Sequence, residues 1–263
     1  MPDAIPSFRC QIFTVPKDGS NAEEYEDYGR ADLVRGRFAI ADGATETSFA
    51  KHWAHLLVDR FLEEPVVEAS QWETWLPPLQ EVWRNKVAGL TLPWFAREKA
   101  DQGACAAFLG VVAEPDGSWH AVAVGDCCLF HIREHKRVLE MFPVRSSAEF
   151  GVTPPLLGAC MSANAVDERR LQRTWVPGDY FLLMTDALAH SVLNRLERRL
   201  DIDPKDDPLR AATQEHFTER VERLRASNQL KNDDVTLMKI EIPQTKLARA
   251  NIKEVRDGVA PGE

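Results

Sequence analysis

The chain has 263 residues, 44% hydrophobic and 28% charged, which suits one globular domain with a substantial core. Its formal net charge of −9 disfavours nucleic acid and an anionic membrane surface as partners, because both select for basic stripes. The start of the chain lacks the basic and apolar segments of a secretory signal, and no apolar run approaches bilayer length, so a cytoplasmic, non-membrane protein is expected.

In chain order, short apolar runs at 11–15 and 37–41 read as strands. A helix follows over 45–63, with Phe49, Trp53, Leu56, Leu57 and Phe61 on one side. A second is predicted over 72–87, carrying Trp72, Trp75, Leu79 and Trp83, with Pro77-Pro78 breaking or restarting it. Large aromatics at helical spacing suit packing on a sheet. Strands at 105–112, 119–124, 128–132 and 138–142 are separated by turn signals, among them Gly125-Asp126, and suggest an antiparallel meander. Late strands at 180–184 and 235–242 flank helices over 187–199 and 208–226, the latter with Leu209, Ala212, His216, Val221 and Leu224 roughly on one face. Residues 1–242 form the expected domain, and 243–263 a mobile tail. The five cysteines, Cys10, Cys105, Cys127, Cys128 and Cys160, are odd in number and contain no CxxC, so reduced thiols are expected.

Three segments share one design. Phe38-Ala39-Ile40-Ala41-Asp42-Gly43 and Tyr180-Phe181-Leu182-Leu183-Met184-Thr185-Asp186 are apolar strands that end in aspartate. In Lys231-Asn232-Asp233-Asp234-Val235-Thr236-Leu237-Met238, an acidic pair opens a strand. Carboxylates gathered at strand ends repel one another, and hard divalent cations with oxygen ligands relieve that repulsion. Singly, Asp42-Gly43 also reads as a turn and Asp186 as a helix cap.

In this order the segments resemble the metal-dependent protein phosphatases, the PPM or type 2C family, over nearly the whole chain. Glu26-Asp27 is similar to the family's first acidic motif, Gly103-Ala104-Cys105 to its Gly-Ser/Thr strand, and Gly125-Asp126-Cys127 to its Gly-Asp-Ser turn. The resemblance implies an α+β fold, an αββα sandwich of two antiparallel sheets flanked by helices. It implies two Mn²⁺ or Mg²⁺ ions per chain, with Asp42 bridging both, the Gly43 carbonyl on one, and Asp186 and Asp233 on the other. Glu26 and Asp27 would hold metal-bound waters. Asp42, Asp186 and Asp233 would thereby activate a hydroxide that attacks phosphorus in line, on a phosphoserine or phosphothreonine of a phosphorylated protein. His190, His52 and His55 are candidate proton donors to the leaving group.

The chain departs from the family pattern at four places. The phosphate-gripping Arg four residues before Glu26 is Ala22, and neither Lys17 nor Arg30 has its spacing. The second Gly of Asp-Gly-x-Gly is Thr45, and the Ser after Gly-Asp is Cys127. The Asp of a third, weaker metal site is His190, so Asp126 and His190 form a modified third site. Residues 142–164 fall where the family carries a specificity flap. A monomeric enzyme is the leading expectation. A phosphoprotein-binding module without turnover is the alternative, and a two-metal nuclease is opposed by the acidic charge balance.

Overall fold

The computed structural model describes residues 8–44, 49–91, 93–133, 137–151 and 153–243, so the expected tail lies outside the described residues from 244 onward. In chain order, three strands, β1 (Arg9–Val15), β2 (Tyr28–Asp32) and β3 (Arg37–Gly43), lead into helices α1 (Ala50–Glu63), α2 (Trp72–Ala88) and α3 (Trp94–Asp101). Then come β4 (Cys105–Ala113), β5 (Ser118–Val124), β6 (Cys128–Arg133), β7 (Arg137–Phe142), β8 (Leu157–Gly158), β9 (Arg169–Thr174) and β10 (Tyr180–Met184). Helices α4 (Asp186–Arg198) and α5 (Gln214–Ala226) precede the last strand, β11 (Val235–Glu241).

The strands form two antiparallel sheets, one ordered β1-β11-β10-β6-β7 and the other β2-β3-β4-β5-β9, with β8 paired to β4. The central strands are apolar on both faces because both faces are covered. In β3, Phe38 and Ile40 point between the sheets, while Ala39 and Ala41 meet Trp53, Leu57 and Phe61 of α1. In β10, Phe181 and Leu183 point between the sheets, while Leu182 and Met184 meet Leu188 and Val192 of α4 and Phe217 and Val221 of α5. The two-residue period of a strand thus sorts the side chains into three cores and gives four layers, helices–sheet–sheet–helices. This is the expected αββα sandwich.

Several local expectations change. The meander is two hairpins: β4 pairs with β5 and β6 with β7, but β5 and β6 lie in different sheets. The chain crosses between them at Gly125, whose φ of +97° and whose contact with Ala107 (2.6 Å from an added Cβ) both exclude a side chain. Residues 45–48 of the first predicted helix lie outside the described residues. The 208–226 segment divides into a 3₁₀ turn, Pro208–Arg210, and α5, because Phe217, Val221 and Leu224 set the buried face and His216 is exposed.

Candidate metal centre

The sandwich brings five aspartates to one edge. Asp42 closes β3, Asp186 opens α4 directly after β10, and Asp233 precedes β11. Asp27 precedes β2, and Asp126 lies in the crossing from β5 to β6. Met184 pairs with Leu237 in antiparallel register, so the end of β10 and the start of β11 share this edge. Gly43 is required here: an added Cβ would stand 2.9 Å from the Glu26 carbonyl oxygen and 3.0 Å from Ala50. The loop before β2 therefore presses Glu26 and Asp27 against the end of β3.

Asp27 is buried. Its Oδ2 accepts hydrogen bonds from Thr236 Oγ1 at 2.9 Å and Thr185 Oγ1 at 3.0 Å. Its Oδ1 is buried without a hydrogen-bond partner among the described residues; Glu26 Oε2 also lacks a hydrogen bond but lies 3.6 Å from the Lys17 ammonium. Burial pushes the Asp27 carboxyl up to about 8, against the lowering effect of the Thr236 hydrogen bond. Asp42 is pushed well above the ordinary carboxylate range, first by burial and then by Asp27, Asp186, Asp126 and Asp233 in turn. Asp126 rises to about 6 through burial and then Asp186. Asp186 is raised by burial, pulled down by Lys231, pushed up by Asp233, and within side-chain hydrogen-bonding reach of Asp42. Each of these carboxyls resists ionisation first because it is desolvated and then because its neighbours carry the same charge.

Lys231 and a frame of hydrogen bonds hold the cluster. Lys231 Nζ lies 2.6 Å from Asp233 Oδ2 and 3.7 Å from Asp186 Oδ2. Arg225 Nη2 donates to the Asp233 carbonyl at 2.6 Å. Asp234 accepts from the backbone N–H groups of Lys17 (2.8 Å) and Glu26 (2.7 Å), tying the first acidic motif to the last. The Tyr25 hydroxyl meets Thr236 Oγ1 and donates to the Val235 carbonyl at 3.1 Å. Sequence reasoning placed Thr185 and Lys231 in the acidic segments without a role and passed over Tyr25 and Arg225. A signal was present for the threonines, since Thr185 and Thr236 are polar residues inside apolar strand patterns.

The donor set suits a hard divalent cation: carboxylate and carbonyl oxygens with buried, unsatisfied lone pairs and mutually raised carboxyls. Among the described residues, no three His, Cys, Asp or Glu side chains close around one point. The reason is visible in the contacts. Asp27 Oδ2 is turned to three hydroxyls, those of Tyr25, Thr185 and Thr236, and the Lys231 ammonium lies between Asp186 and Asp233.

The other predicted residues fall in three places. His190 stacks edge-on against Phe150 and lines a cavity of about 510 Å³ with Lys231, Arg195 and Arg198. Asp126 lines a different cavity, of about 170 Å³, with Glu149, Asp167 and Arg169, so the proposed third-site pair is divided between two cavities. His52 faces Lys86 Nζ at 3.3 Å, and His55 stacks on Tyr28 at 3.7 Å between ring centroids. Cys127 is buried beside Asp42 and Asp126, and burial holds its thiol well above the usual range, so it is no thiolate nucleophile. All five cysteines are free, but burial is uneven: Cys127 and Cys128 are buried and Cys160 is exposed. Lys51 Nζ donates to the carbonyls of Ala22 (3.1 Å) and Glu23 (3.0 Å), placing a cation on the loop that lacks the arginine.

A family model described as protein phosphatase 2C matches residues 25–234. Solved structures share the architecture. The catalytic domain of the serine/threonine phosphatase PstP, in complex with two manganese ions, is 15% identical with a TM-score of 0.58, over 90% of this chain and 99% of that one. PppA, described as a key regulatory component of T6SS in Pseudomonas aeruginosa, is 17% identical with a TM-score of 0.53, over 90% and 98%. A bacterial serine phosphatase is 17% identical with a TM-score of 0.59, over 91% and 100%. At these identities the likeness shows the fold alone. No curated protein sequence matches the chain. Among the described residues, no helix is long and apolar enough to cross a membrane.

Proposed function

Because the chain belongs to the protein phosphatase 2C family, we propose that it hydrolyses phosphoserine and phosphothreonine monoesters of proteins, using two Mn²⁺ or Mg²⁺ ions held at the five-aspartate edge. Asp42, Gly43, Asp186 and Asp233 are the proposed ligands, with Glu26 and Asp27 beside them. The reading takes the chain as a cytoplasmic monomer acting on phosphorylated proteins.

The observation that carries it is the convergence of Asp27, Asp42, Asp126, Asp186 and Asp233, each separated in sequence, into one partly desolvated cluster. Bound divalent cations supply a nucleophilic water at neutral pH and charge neutralisation on the transferring oxygens. The chain's own residues hold the geometry. Tyr25, Thr185 and Thr236 fix one face of Asp27, leaving Oδ1 directed elsewhere. Arg225 fixes the backbone of Asp233. Lys51, seated on the Ala22 loop, is the proposed partner of the substrate phosphate in place of the arginine.

Hydrolysis of p-nitrophenyl phosphate and of a phosphopeptide across a Mn²⁺ series tests the assignment. Manganese-dependent turnover that disappears in Asp42→Asn and Asp186→Ala supports it. A phosphopeptide that binds without being cleaved at any metal concentration would replace the enzyme by a binding module.

A further inference from the structure

We propose that the Lys231 ammonium is a tethered counter-ion that sits between Asp186 and Asp233 and competes with a divalent cation for those two carboxylates. The inference rests on the metal-centre reading above. Its basis is placement: one ammonium lies 2.6 Å from Asp233 and 3.7 Å from Asp186, two side chains drawn from different elements. Lys231 is two residues from Asp233 in the same turn, with the Asp233 N–H bonded to the Lys231 carbonyl at 3.0 Å. The cation is therefore delivered with the ligand it neutralises.

Electrostatics gives the arrangement a direction. Without a metal, gathered carboxylates repel, and a single positive charge at hydrogen-bond distance offsets part of that repulsion. When a doubly charged ion enters, the ammonium becomes a like charge a few ångströms away, and it must leave or weaken the ion's binding. Leaving is feasible, because the Lys231 side chain is 62% exposed at the mouth of the cavity shared with His190 and Arg195. Its flexible four-carbon stem moves the charge into water without unpacking a core. The device stabilises the metal-free fold and sets the metal affinity low, so that occupancy follows the ambient cation concentration.

Mn²⁺ binding read from the free-ion electron paramagnetic resonance signal, at fixed neutral pH and ionic strength, tests this on the whole chain. Wild type, Lys231→Ala, Lys231→Met, Lys231→Arg and the remote surface control Lys205→Ala are compared, with circular dichroism melts of each. Losing the ammonium is expected to tighten Mn²⁺ binding by about tenfold or more. The metal-free Lys231→Ala protein should melt earlier, while Lys231→Arg and Lys205→Ala stay with wild type. Lys231→Met keeps the apolar stem and gives the same readout if the alanine variant folds poorly. Binding in Lys231→Ala and Lys231→Met that equals wild type, or is weaker, overturns the counter-ion while leaving the metal centre standing. Failure of every protein, wild type included, to bind Mn²⁺ overturns both.

Discussion

At the residue scale, the cluster trades stability for chemistry. Asp42 is half-buried among four other aspartates, an arrangement that costs free energy until cations neutralise it. Asp42→Asn removes the ionisable carboxyl, and with it the cost of placing a further charge in the cluster, at nearly constant shape. It is therefore expected to raise the melting temperature of the metal-free protein while lowering Mn²⁺-dependent hydrolysis by about a thousandfold or more. Scanning calorimetry and a single-turnover assay read the two effects separately. A destabilised, fully active Asp42→Asn protein would show that the carboxylate is structural. Lys51 makes a milder prediction. Its ammonium caps the carbonyls of the Ala22 loop, and Lys51→Ala is expected to raise KM for a phosphopeptide by roughly tenfold, the scale of one lost charge-assisted hydrogen bond, with kcat less affected. An unchanged KM would place phosphate recognition elsewhere. These residues differ in how readable they were. Asp42, Asp186 and Asp233 stand at the ends of apolar runs, where the change in polarity is abrupt. Lys231 sits in a polar stretch and Lys51 on the polar side of an amphipathic helix, where nothing distinguishes a site residue from a solvated one until the chain is folded.

At the element scale, burial decides what the sequence discloses. Strand β11 is apolar but for Thr236, Lys239 and Glu241, and strands β4 and β10 and residues 38–41 of β3 are covered on both faces and appear as continuous apolar runs. The edge strands β2 and β9 do not. Tyr28–Asp32 and Arg169–Thr174 are largely polar, because each has a neighbour on one side only, and in β9 the apolar contribution to the inter-sheet core is Leu171. Helix α2 teaches the converse. Pro77 and Pro78 predict a break, yet the helix runs through them. Both prolines are exposed, as are Glu73 and Thr74, whose carbonyls lose their usual partners and face water instead. Trp72, Trp75, Leu76, Leu79 and Trp83 on the opposite face keep the helix seated. Helix α1 carries a pH-dependent feature. His52 is lowered to about 4 by burial and then by Lys86. Its folded value lies below the unfolded value of about 6.5, so the unfolded chain takes up the proton first. Stability is therefore expected to fall as pH drops from about 6.5 toward 4, and His52→Gln should flatten that fall in urea titrations across this window. An identical slope in the variant would mean that His52 stays hydrated.

At the scale of the whole molecule, the sandwich is a device for bringing distant segments to one edge. Asp27 and Asp233 are separated by most of the chain, yet both reach Thr236 or its strand, because β2, β3, β10 and β11 end at the same rim. The gross architecture was legible because apolar periodicity reports which faces are covered. The register, the crossing between sheets at Gly125 and the position of Lys231 depend on contacts between segments, which no single segment encodes. A site assembled this way binds cations only when both sheets are in place, so saturating Mn²⁺ is expected to raise the melting temperature, and more so as its concentration rises.

Anomalous diffraction at the manganese edge from crystals soaked in Mn²⁺ locates the ions directly. The account predicts two strong peaks flanking the Asp42 carboxylate, one of them also within reach of Asp186 and Asp233 and with Lys231 swung away. A map with no peak at this edge, or with manganese bound only elsewhere on the surface, would contradict it.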